Sequence, residues 1–135
     1  MISIHDAMVG DYLQNTNGNV GKVVGIELYD GAIDEYDVAM RYSDNSTCYT
    51  SPKLLQPIPL TPEILEKNGF KKEGRYFIIE DDYYDVSIRE ITDSIWRVKY
   101  CNTEFSAFDC ILHIAFIHEL QHALRLCGIE KEIVL

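Results

Sequence analysis

The chain has 135 residues, enough for one domain or two small ones with a buried core. An apolar fraction of 47% and a charged fraction of 25% are those of folded proteins and exclude wholesale disorder. A formal charge of −10 argues against non-specific attachment to nucleic acid or anionic membrane, and is compatible with a basic protein partner or with mimicry of a nucleic acid.

The first residues, MISIHDAMVGDYL, lack the basic start and apolar core of a secretory leader. Residues 1–56 then read as short strands separated by turns. Asn17-Gly18 is a strong hairpin signal between Val9–Leu13 and Val20–Leu28. The second of these runs is β-branched and interrupted by Gly21 and Gly25, as in strands that bend around a small barrel. Asp30-Gly31 marks another turn, Asp37–Tyr42 a third strand and Thr47–Thr50 a fourth. This half is expected to be a small SH3-like β-barrel or meander. Gly18–Ile26 also has the look of a KOW-like RNA-binding loop, but its acidic surroundings favour a glycine-bent strand.

Prolines 52, 57, 59 and 62 form the seam between a half at 1–56 and a half at 57–135. Thr61 caps a short helix with Pro62 at its first position, and Gly69-Phe70 closes it. Three strands follow, at Tyr76–Ile79, Tyr84–Ile88 and Trp96–Tyr100, the last two with apolar residues at every second position. Between the first two lies the acidic and aromatic cluster Glu80-Asp81-Asp82-Tyr83-Tyr84-Asp85. It lacks the ligand alternation and glycine of a calcium loop, and a hairpin turn accounts for it.

Ser106–Gly128 is expected to form one long helix, with Ser106 and Asp109 at its start and Gly128 at its end. Leu112, Phe116, Leu120, Ala123 and Cys127 would form its buried stripe against the three-stranded meander, with His118, His122 and Arg125 nearly opposite. Ile133-Val134-Leu135 follows as a short edge strand or apolar tail. No apolar run reaches the ~20 residues of a membrane span. Four cysteines without a C-x-x-C pair are consistent with a reducing cytoplasm, Cys110 and Cys127 serving as small buried hydrophobes.

Within that helix, His118-Glu119-Leu120-Gln121-His122 spells H-E-x-x-H. A zinc hydrolase needs two imidazoles one turn apart and a carboxylate to take a proton from metal-bound water, roles open to His118, His122 and Glu119. The third ligand is not evident. Arg125 and Gly128 stand where the metzincin pattern has glycine and histidine, and His113 projects elsewhere. Glu130 and Glu132 would have to fold back, which leaves His5, Asp81, Asp82 or Asp85 as remote donors. No residue array for nucleophilic catalysis and no phosphate- or dinucleotide-binding fingerprint is present.

Two segments carry a resemblance. Pro57–Phe70, PIPLTPEILEKNGF, and His118–Ile129, HELQHALRLCGI, resemble an uncharacterised family of Bacteroides-type gut bacteria and their phages or integrated elements. Its members are similar in an "IPLT-E-x-L-x-x-x-GF" segment and a closing "H-x-L-Q" helix. The resemblance implies a mobile-element context and no established activity. In the family pattern the positions of Glu119 and His122 are often Gln and Asn, which implies a structural helix whose His118 and Gln121 pack or hydrogen-bond to the preceding strands.

The expected fold class is therefore α+β: a small barrel or meander, a short helix, a three-stranded antiparallel meander, and a long C-terminal helix packed on it. The first functional expectation is a non-catalytic interaction or accessory protein with no cofactor, engaging a protein through an acidic or aromatic surface. A small zinc hydrolase is the alternative, and a nucleic-acid mimic or RNA-binding barrel the third.

Overall fold

The computed structural model describes residues 6–28, 36–102 and 109–135. The chain divides into two compact units, Met1–Ile58 and Pro59–Leu135. Each is built on its own five-stranded antiparallel sheet.

In the first unit, β1 (Tyr12–Gln14), β2 (Val20–Leu28), β3 (Tyr36–Tyr42) and β4 (Thr47–Thr50) pair consecutively. A 3-10 turn at Pro52–Leu54 then returns the chain so that β5 (Gln56–Pro57) pairs with β1 on the other side. The β1–β2 turn forms as its sequence demands: Gly18 takes a φ of +80°, and the Asn15 carboxamide oxygen accepts from the Asn17 and Asn19 amides. The Asp30-Gly31 turn lies outside the described residues.

The register of β2 against β3 shifts between Val23 and Gly25, a bulge in the strand where bending glycines were expected. Leu13, Val23, Val38, Met40 and Leu55 are buried together as this unit's core. Gly21 has a packing reason of its own. A Cβ there would stand 3.0 Å from Met40 Cε and 3.0 Å from the Tyr42 ring. Gly21→Ala is expected to cost about 1–2 kcal/mol through overpacking, measured by urea denaturation.

The second unit opens on α1 (Pro62–Lys67). Thr61 Oγ1 accepts from the Ile64 amide, and Gly69 at φ +85° lets the Phe70 amide reach the Leu65 carbonyl. Both the capping residue and the glycine closure occupy the positions read from sequence. The sheet then runs as an unbroken meander of β6 (Lys71–Glu73), β7 (Tyr76–Glu80), β8 (Tyr84–Thr92), β9 (Ile95–Asn102) and β10 (Asp109–Ile114). Phe77, Ile88 and Val98 stand side by side in register and are buried, and Phe77 meets Trp96 edge-on at 6.0 Å.

The α+β expectation is overturned. The chain is mostly β, with two five-stranded sheets and only two α-helices among the described residues. The expected three-stranded meander has five strands, and the expected long helix is a strand followed by a short helix, α2 (Ile117–Leu126). The Ser106 cap lies outside the described residues.

The reason is local ambiguity resolved by pairing. Cys110-Ile111-Leu112-His113-Ile114 fits a period of two as well as a helical stripe, and β9 offers an open edge. Leu112 takes its place opposite Val98, and Ile114 opposite Trp96. The buried stripe is corrected accordingly: Ile117, Leu120, Ala123 and Leu124 point inward, Cys127 is half-buried, and Leu112 belongs to the sheet.

The C-terminal segment is an apolar tail, not an edge strand. Ile129 and Ile133 are buried, and the segment is tied to the end of α1 by a buried asparagine. Asn68 Oδ1 accepts from the Val134 amide at 2.7 Å, and its Nδ2 donates to the Val134 carbonyl at 2.8 Å. The same Nδ2 also donates to the Ile64 carbonyl at 2.8 Å.

Candidate functional site: the strand–helix corner at His118–His122

The H-E-x-x-H segment sits where β10 gives way to α2. Phe116 is the N-cap residue, with extended backbone (φ −126°, ψ 158°), and Glu119 is the third residue of the helix. Phenylalanine has no side-chain acceptor, so only the reciprocal arm of a capping box forms here. Glu119 Oε2 accepts from the Ala115 amide at 2.6 Å and from the Phe116 amide at 3.0 Å.

The same corner also receives the incoming chain of this unit. The Leu60 amide donates to the Ala115 carbonyl at 3.1 Å, and Pro59 forms an antiparallel bridge with Phe116. Ala115 and Phe116 thus exchange hydrogen bonds with both a neighbouring strand segment and their own helix. A carboxylate is well suited to the two amides because the helix start carries partial positive charge.

His118 and His122 are one turn apart, with ring centroids separated by 5.6 Å and planes nearly perpendicular at 84°. His118 does not face away from the core as expected; it is only 5% exposed and stacks on Phe116, with centroids at 6.0 Å and planes at 16°. Its Nδ1 is buried, and the ring itself is held between Phe116 and His122. Gln121 is likewise buried, His122 is half-buried, and Arg125 is exposed.

The other proposed ligands are dispersed. His113 is on the solvent-facing side of β10, where Arg97 Nε donates to its Nε2 at 3.4 Å. Asp81 and Asp82 belong to the β7–β8 turn, and Asp85 opens β8, at the end of the sheet opposite the exit of β10 into α2. Glu130 and Glu132 are exposed beyond α2, and His5 lies outside the described residues. Among the described residues, no group of three or more His, Cys, Asp or Glu is placed to hold a metal ion. Cys48 is exposed, and Cys101 and Cys127 are half-buried.

The acidic and aromatic cluster forms the β7–β8 hairpin turn. The Asp81 amide donates to the Tyr84 carbonyl at 2.8 Å, and the Tyr83 amide donates to Asp81 Oδ1 at 3.3 Å. Tyr84 stacks on Tyr100 with ring centroids 6.3 Å apart. Desolvation, then the negative charge of Asp81, then Tyr100 push its hydroxyl above the ordinary phenol value.

The capping role of Glu119 could have been found in sequence had the helix been started at Phe116, since acid at the third position is the expected reach-back residue. The packing of His118, implied by the resemblance, is not visible on a helical wheel, because its burial follows from the turn in the chain at Ala115. Comparison with protein-family models, with curated proteins and with solved structures gives no match. No helix among the described residues is long and apolar enough to cross a membrane.

Proposed function

We propose that this protein is a non-catalytic interaction module, an accessory protein of a phage or mobile element. One observation supports the non-catalytic reading above the others. The carboxylate that a zinc hydrolase would use as its base accepts two backbone hydrogen bonds at the start of α2. A general base has to reach the proton that it removes, whereas this group is turned back toward Ala115 and Phe116. The stacking of His118 on Phe116 gives the first imidazole a packing role as well. The mobile-element context rests on the resemblance of Pro57–Phe70 and His118–Ile129 to the phage-associated family.

Elemental analysis of protein purified from zinc-replete medium tests the reading, and metal-free protein is the expected result. About one ion per chain would sink it. Glu119→Gln supplies the second arm, since an amide oxygen still accepts a hydrogen bond, though more weakly than a carboxylate. The variant is expected to lose about 1 kcal/mol of stability, measured by urea denaturation. For the hydrolase alternative the same change would retain metal, abolish turnover and leave stability nearly untouched.

A further inference from the structure

The sheet of β6–β10 turns one face to solvent, and the middle of that face gathers cations although the chain as a whole is acidic. In register across the strands, Tyr76, Arg89, Arg97 and His113 form one row, and Ile78, Ser87, Lys99 and Ile111 form the next. Arg97, Lys99 and His113 are exposed, as are Tyr76 at 43% and Ile111 at 54%. Ile95, two residues before Arg97 on the same side of β9, is 41% exposed. The chain has 22 acidic residues against 12 lysines and arginines, yet Arg89, Arg97 and Lys99 are neighbours here. Glu80, Asp85 and Asp109 share the row beyond Lys99, toward the β7–β8 turn, and on β6 Glu73 stands opposite Tyr76 and Lys71 opposite Ile78.

Two of the cations are steered by their neighbours. The Arg89 guanidinium stands 5.7 Å from the centre of the Tyr76 ring, and Arg97 is hydrogen-bonded to His113. Arginines held over a rigid sheet lose less conformational freedom when they meet a ligand.

We propose that this face docks an acidic, partly apolar segment of a partner protein. Carboxylates of the segment meet Arg89, Arg97 and Lys99, and its apolar side chains meet Tyr76, Ile95 and Ile111. This rests on the interaction-module reading and supplies the surface for it, on a basic patch and not the acidic one expected from sequence.

Charge complementarity selects the occupant, because arginine forks match carboxylates in pairs. Two copies meeting face to face about a two-fold axis through this cluster would set arginines against arginines. Single-stranded nucleic acid would satisfy the charges, but the apolar groups here are mainly isoleucines, with one tyrosine already beneath an arginine. That is a poor platform for stacking bases.

The test is a titration of the full-length, isotope-labelled protein, followed by amide chemical shifts. The probe is a soluble random copolymer of glutamate and tyrosine, with poly-glutamate and single-stranded poly(U) as parallel arms. The expected result is salt-sensitive binding of the copolymer, with shifts concentrated on β7–β10 around Arg89, Arg97, Lys99 and Ile111. Arg89→Glu with Arg97→Glu should weaken it at least about tenfold, while the double lysine replacement stays within about threefold. Ile111→Ser should weaken the copolymer severalfold and leave poly-glutamate unchanged.

Silence, shifts confined to other surfaces, or equal binding of poly-glutamate and the copolymer would overturn the proposal. Binding of poly(U) as tight as the copolymer at the same salt would overturn it in favour of nucleic acid. Metal content of the same sample separates the two failures. Metal-free protein that ignores the copolymer removes this surface alone, whereas stoichiometric metal removes the interaction-module reading whatever the titration shows.

Discussion

Asn68→Ala is expected to lower the unfolding free energy by about 3 kcal/mol, because three hydrogen bonds from one buried carboxamide disappear together. Asn68 is 6% exposed and acts on both polar groups of the Val134 backbone, as a neighbouring strand would. Without it, the Val134 groups have to turn to water, and the buried Ile133 loses the tether beside it. The loss should therefore be visible as faster amide exchange over Ile129–Leu135 and as early proteolysis of that segment.

Asn68→Asp discriminates between lost hydrogen bonding and lost volume. The carboxylate can still accept from the Val134 amide, but it cannot donate to the Ile64 and Val134 carbonyls. It also sets negative charge at the carboxyl end of α1. A loss as large as that of alanine is expected. An alanine variant within 0.5 kcal/mol of the parent, with its tail still protected, would show that burial of Ile129 and Ile133 alone holds the segment.

The second large effect is expected at Glu119. Glu119→Ala should cost about 2–3 kcal/mol, since both amides at the β10–α2 corner lose a charged acceptor. The cost should exceed that of Glu119→Gln, in which an acceptor remains. Denaturant midpoints of the parent and both variants at neutral pH would check the ordering. Equal stability of all three at neutral pH would mean that the corner is held by the Pro59–Phe116 bridge and by packing.

This corner also shows why the site was only partly legible. The five letters of H-E-x-x-H were read correctly as helical, and His118 and His122 do lie one turn apart. Their environment is not readable from a helical wheel that runs through Leu112 and Phe116, because both residues precede the helix. Starting the helix at Ile117 instead of Ser106 changes what precedes it from a turn of helix to a strand. That change makes Glu119 a capping residue, and it brings Phe116 against the His118 ring.

Where short-range chemistry has a single solution, the amino-acid string was sufficient. Thr61, Pro62 and Gly69 bound α1, and Asn17-Gly18 turns β1 into β2, because caps and positive φ values are satisfied by residues a few positions away. Strict alternation likewise placed β8 and β9. Tertiary structure decided Cys110–Ile114, whose apolar spacing suits helix or strand until the edge of β9 supplies backbone partners. It also decided the tail, since the carboxamide of Asn68 meets Val134 across 66 positions. Neither pairing has a local signature, because each becomes favourable only when distant segments have already been brought together.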